Sequence, residues 1–127
     1  MKEKEASLVI SIAQIVMTDM QKDYPGWQRA FIRFDATDDY YGSKGSYQTN
    51  DGVWLFDPFK HDDMFRNLNQ LGFELRNMLH KNNKRFCVFL LTVKSDFSYT
   101  IDFEYEDAGR WAISKMDGAN GLPTGIQ

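Results

Sequence analysis

The chain has 127 residues, 43 % of them apolar and 15 % aromatic, enough for one hydrophobic core and too few for two ordinary domains. Residues 1–127 therefore read as a single domain, and disorder is excluded as the main state. Fifteen basic side chains against eighteen acidic ones leave a formal charge of −3, which argues against a nucleic-acid binder working through bulk positive charge.

The first element is a helix over residues 4–22. Val9, Ile12, Ala13, Val16 and Met20 recur at steps of three and four, and Leu8 and Ile15 widen the stripe. A competing stripe through Leu8, Ile12 and Ile15 runs into the charged Asp19. Tyr24-Pro25-Gly26 stops the helix, because Pro cannot continue the backbone ladder and Gly tolerates positive φ. Three strands follow, over 27–36, 40–48 and 53–56. In the first, Ala30, Ile32 and Phe34 alternate with Arg29, Phe31, Arg33 and Asp35. Thr37-Asp38-Asp39 and Thr49-Asn50-Asp51-Gly52 are polar turn signals, so the three strands form an antiparallel meander.

Asp57-Pro58 marks a helix start, with Asp57 as cap and Pro58 in the first turn, where its missing N–H costs nothing. The helix is expected over 58–81. Met64, Leu68, Leu71, Leu75, Met78 and Leu79 make its buried stripe, with Phe65 and Phe73 beside it. Asp62 and Asp63 suit its N-terminal dipole, and Lys81, Lys84 and Arg85 suit its C-terminal end, near a left-handed cap at Asn82 or Asn83. A strand over 86–93 is apolar on both faces and therefore central. A last strand, 99–106, alternates Tyr99, Ile101, Phe103 and Tyr105 with Thr100, Asp102, Glu104 and Glu106. Residues 110–116 fit a short helix or an edge segment, and 118–123 read as loop. The expected fold is α+β, a single two-layer domain of order α-β-β-β-α-β-β. Its antiparallel sheet carries the N-terminal helix and the long central helix. One core is drawn from Val9, Ile12, Val16, Leu68, Leu71, Leu75, Val88, Leu90, Ile101 and Phe103.

Few patterns carry chemistry. GxSxG, P-loop, dinucleotide-binding and HExxH motifs are absent. The histidines, His61 and His80, lie about 28 Å apart along one expected helix and cannot share a ligand. Neighbours on a helix splay by about 100°, so His61-Asp62-Asp63 does not converge on a metal. Asp35, Asp38 and Asp39 lack a companion nucleophile or oxyanion device. Cys87, the single cysteine, excludes an intramolecular disulfide and sits in an apolar run, which suits a structural thiol. No cofactor and no metal are expected. Nor does any segment approach the roughly 20 apolar residues of a membrane span, and the N-terminus does not read as a signal peptide. A cytoplasmic location and no membrane partner are the corresponding expectations.

Charge is more informative at the last strand. Between Ser95 and Gly109 stand Asp96, Asp102, Glu104, Glu106 and Asp107, with no Lys or Arg. Alternate positions of a strand share a face about 7 Å apart, so this stripe is either solvated or opposed by a basic partner. Asp38, Asp39, Tyr40, Tyr41 and Trp54 add carboxylates and aromatics in the 37–63 segment, a mixture that suits docking surfaces and half-buried strands equally.

The run Tyr99-Thr100-Ile101-Asp102-Phe103-Glu104-Tyr105-Glu106-Asp107, followed by Trp111, resembles the C-terminal signature of the YezG-like antitoxins. These are bacterial immunity proteins of polymorphic-toxin and contact-dependent growth-inhibition systems. The order of elements is similar along most of the chain, while the likeness in residues is confined to about 99–111. Phe103 stands where the family pattern has Tyr, and the tail departs from the pattern after Ala112. The resemblance implies a non-enzyme that binds a cognate toxin domain. That partner is expected to be a nuclease with a basic cleft, an RNase before a DNase, blocked at its active site or its substrate access. The expected contact residues are Asp102, Glu104, Glu106, Asp107, Tyr40, Tyr41, Trp54, Asp38 and Asp39, without direct nucleic-acid binding. The alternative is a small enzyme or ligand-binding domain that uses the acidic 35–63 segment. Neither reading specifies an oligomeric state.

Overall fold

The computed structural model describes residues 2–80 and 85–127. Helix α1 spans Lys2–Asp23 and α2 spans Asp62–His80. Strands β1 (Arg29–Ala36), β2 (Tyr41–Thr49), β3 (Gly52–Leu55), β4 (Val88–Lys94) and β5 (Tyr99–Glu104) form one antiparallel sheet of order β3-β2-β1-β4-β5. The fold is thus α+β. After the β1–β2–β3 meander, α2 carries the chain back across the sheet, and β4 pairs with β1 rather than with β3. β4 is interior as expected, with β5 at the edge and β1 at the centre.

Register explains the layering. Ala30, Ile32 and Phe34 of β1 share a face with Val93, Leu91 and Phe89 of β4. Both helices pack there: Ile12, Val16 and Met20 of α1 and Met64, Leu68 and Leu75 of α2 belong to the same buried cluster. Val9, Leu71, Ile101 and Phe103, expected in that core, are only half-buried at its rim. Gly72 has a clear role in the middle of α2. A β-carbon there would come within 2.8 Å of the Phe34 ring, so its absence lets the helix backbone lie directly on Phe34, which stacks on Phe89 with ring centroids 5.1 Å apart.

The opposite face corrects the expectation of one core. Phe31, Val88 and Leu90 point away from the helices into a second cluster with Trp111 and Ile113, flanked by Cys87, Leu122 and Ile126. The C-terminal segment, expected as a short helix or edge, is instead a strap across this face containing one 3₁₀ turn at Met116–Gly118. It doubles back on itself: Gly121 N–H donates to Ser114 O and Thr124 N–H to Ala112 O. Arg33 fastens its start by donating to Ala108 O and Arg110 O, and Arg29 fastens its end by donating to Gln127 O. The strap leaves the Ser46 hydroxyl fully buried without a partner among the described residues.

Several boundaries also move. The last strand ends at Glu104, which places Glu106 and Asp107 in the following turn. Asp57 does cap, accepting from Phe59 N–H, but it caps a separate turn, and α2 begins only at Asp62. The first strand starts at Arg29 rather than Trp27. The expected cap at Asn82 or Asn83 and the charges of Lys81 and Lys84 lie outside the described residues. Among the described residues, no helix is long and apolar enough to cross a membrane.

Two substitutions test the packing. Trp111→Ala should cost about 3–5 kcal/mol, the loss typical of a buried large aromatic, in a denaturant melt. A loss below about half a kcal/mol, as at surface sites, would mean that the strap is not part of the folded unit. Gly72→Ala would gain about 1 kcal/mol of helix propensity on an open helix. Against the Phe34 ring we expect a lower melting temperature instead, and a rise would show that α2 does not rest on that ring.

Candidate functional site

The two acidic segments singled out in the sequence meet at one end of the sheet. Asp35 of β1 stands opposite Val88 of β4, which stands opposite Glu104 of β5. The 37–40 turn and the 105–110 turn therefore leave the sheet side by side. Between them lies a cleft of about 260 Å³ lined by Thr37, Asp38, Arg76, Arg85, Cys87 and Tyr105, among others. Arg76 is a buried cation of α2 that the apolar stripe did not announce. Its Nε donates to Phe86 O at 3.2 Å, and a terminal nitrogen lies 3.5 Å from Asp38 Oδ1, which also takes Arg85 at 2.8 Å. Both arginines thus hold the 37–40 turn. Tyr40 and Tyr105, 57 % and 52 % exposed, rise from the same end.

Glu104 is the joint of the second turn. Its carboxylate accepts the backbone N–H groups of Tyr105, Glu106 and Asp107 and pairs with Arg110 at 2.7 Å. The Arg110 hydrogen bond, followed by those N–H donors, holds its pKa down at about 2. Arg110 also lies over the Trp111 ring, 4.5 Å from the centroid, and Trp111 takes φ +60°, a left-handed conformation that bulky residues rarely adopt.

The expected one-sided stripe is therefore broken. Asp102 is exposed on β5, Glu104 is half-buried and turned into the joint, and Glu106 and Asp107 have left the strand. Nor is the segment uncompensated, because Arg110 follows it directly. Among the described residues, Asp39, Asp102, Glu106 and Asp107 form no ion pair. Tyr41 belongs to the helix face, its ring 5.0 Å from that of Phe73. Trp54 lies on β3, the opposite edge, where it bonds Thr49 and sits under the Lys115 ammonium. The structure thus gathers Asp38, Asp39, Tyr40, Glu104, Glu106 and Asp107, adds Tyr105, and leaves Trp54 apart.

The carboxylates of the 35–63 segment do not converge: Asp35 pairs with Arg33 on the sheet and Asp38 with the two arginines. Cys87 is half-buried, its thiol donates to Glu104 O at 3.4 Å, and burial, then the nearby Glu104, pushes its pKa up. That disfavours the reactive thiolate.

A second polar centre escaped the sequence reading. His61 is 2 % exposed and faces α1 rather than its neighbours Asp62 and Asp63. Its Nδ1 lies 3.1 Å from Asp19 Oδ2 and 4.0 Å from Asp23 Oδ2, and its Nε2 lies 2.7 Å from the Tyr24 hydroxyl. The Tyr47 ring lies 4.2 Å from that of Tyr24, and burial, then the neighbouring Tyr24 hydroxyl, pushes Tyr47 up to about 12. The available signal was Asp19 itself, a charge interrupting an apolar helix stripe.

Compared with protein-family models and with curated proteins, the chain matches neither.

The Glu104 joint makes an acid-stability prediction. Its folded pKa is lowered from 4.5 to about 2. Its contribution is therefore complete above the unfolded value and is lost as pH falls between those two values. Melting temperatures of the parent and Glu104→Gln should differ at neutral pH and converge toward pH 2. Parallel curves over that range would remove Glu104 from the joint.

Proposed function

We propose that this protein is an immunity protein that binds and neutralises a cognate bacterial toxin domain, a nuclease with a basic cleft, in the cytosol. The observation that carries this reading is the sheet end itself. Asp39, Glu106 and Asp107 stand there without ion pairs among the described residues, beside the exposed rings of Tyr40 and Tyr105. Arginines are present, but Arg76 and Arg85 are engaged with Asp38 and Arg110 with Glu104. The outward charge left over is negative.

A nuclease cleft must hold a polyanion and is therefore basic. Carboxylates on a rigid sheet end imitate the spaced charges of phosphates and steer association, while tyrosines supply contact area at small entropic cost. The hydrogen-bonded turns matter because ordering a loose loop on binding would consume affinity. The resemblance of residues 99–111 to the YezG-like antitoxins supports the same assignment, and its acidic residues fall largely within this sheet end.

The resemblance implies a toxin gene adjacent to this one, and the test uses the C-terminal domain that such a neighbouring gene encodes. Asp39→Asn/Glu106→Gln/Asp107→Asn should slow association about tenfold at low salt, within the range of electrostatic steering, and flatten its salt dependence with little change in melting temperature. Equal rates and equal salt slopes would place the contact surface elsewhere, and no complex with the parent protein would overturn the assignment.

A further inference from the structure

We propose that Asp19, Asp23 and His61 form a binding site for one first-row transition-metal dication, with zinc as the best match. The site is independent of the acidic sheet end, since it joins the end of α1 to the turn before α2. Asp19 and Asp23 are four residues apart on α1, so their carboxylates stand on one face. The turn capped by Asp57 brings His61 beneath them. One donor atom from each of the three residues lies within 4.8 Å of the others, a convergence made by no other such group among the described residues.

The spacing suits an ion. Zinc bonds imidazole nitrogen and carboxylate oxygen at about 2.0–2.2 Å, so tetrahedral donors stand about 3.4 Å apart. The distances of 3.1 and 4.0 Å from His61 Nδ1 to the two carboxylates bracket that value.

Three further observations point the same way. The His61 ring is held from behind, packed against Tyr24 and edge-on to Phe56 with centroids 5.6 and 5.1 Å away. Its Nε2 is tied to the Tyr24 hydroxyl. That is how outer partners orient a ligating imidazole and leave the other nitrogen aimed at the metal. Next, the two carboxylates occupy the last turns of α1, where the helix dipole disfavours negative charge and like charges four apart repel. The single Nδ1 of His61 cannot hydrogen-bond both carboxylates, and Asp19 is the nearer of the two. A dication at this position neutralises both carboxylates and opposes the dipole. Finally, the three residues open onto a cavity of about 290 Å³ also lined by Lys60, Asp62 and Asp63, with room for water to complete the coordination. An imidazole among only two carboxylates selects zinc-like ions over magnesium and calcium, which prefer oxygen ligands throughout.

The test is calorimetric titration of the chelator-treated, untagged full chain with zinc chloride, with magnesium chloride as control, alongside thermal melts. One zinc per chain, a raised melting temperature and no magnesium binding are expected. Asp23→Asn is the decisive variant, because at 4.0 Å Asp23 lies too far from His61 for a hydrogen bond, so an unchanged melting temperature without metal is expected. It should weaken zinc by more than the ten- to hundredfold typical of losing an outer-sphere partner, as should His61→Gln if that variant folds. Failure of the parent to bind zinc, or equal binding by Asp23→Asn and parent, would overturn the proposal.

Discussion

The central strands carry apolar side chains on both faces, and everything else in this molecule follows from having to cover two sides of one sheet with two helices. Phe31, Val88 and Leu90 face away from α1 and α2, and no third helix lies among the described residues to shelter them. Leaving three such side chains in water would forfeit about 1.5–3 kcal/mol each. The C-terminal strap is the solution, with Trp111 and Ile113 as its anchors. An irregular strap must still satisfy its backbone, and it does so by bonding to itself and to the guanidinium groups of Arg29 and Arg33.

Bringing the chain from the β5 edge onto that face requires a sharp turn, and the turn shapes the acidic sheet end. Glu104 sits at its pivot and gathers three N–H groups and Arg110. A residue that looked like one member of an exposed stripe is thereby committed to structure, while Glu106 and Asp107 are released outward. Across the cleft, Arg76 and Arg85 perform the same service for the 37–40 turn through Asp38. In both turns one carboxylate is neutralised to hold the backbone, and its sequence neighbours are left charged and accessible. The surface therefore presents its remaining carboxylates from a fixed frame.

The helix face shows the complementary economy of packing. Gly72 gives up helix propensity so that Phe34 can approach the α2 backbone, which sets the spacing of the helix from the sheet. At the other end of α2, Asp57 starts a turn of its own before the helix begins. That turn carries His61 inward to Asp19, Asp23 and Tyr24. The N-terminal helix is thus tied to the second by a polar cluster at one end and by apolar contact along its length.

Local pattern was sufficient for the elements themselves: the 3.6-residue stripes of both helices, the alternation of β1 and β5, and the turns at 37–40 and 49–52 are written in short stretches of sequence. The antiparallel meander and the α+β class follow from those elements and their short connections. Strand order, the second core and the role of the tail were not legible, because each depends on which distant segment covers an apolar face. Trp111 announces burial but not its partner. The same limit applies to charge. Composition located the acidic segments, yet Glu104 is bound and Glu106 turns outward because of a turn geometry that alternation alone could not reveal. His61 is the clearest case: its neighbours in sequence, Asp62 and Asp63, pair with Arg66, and only the packing of α1 on α2 brings Asp19 and Asp23, about forty residues earlier, to its ring.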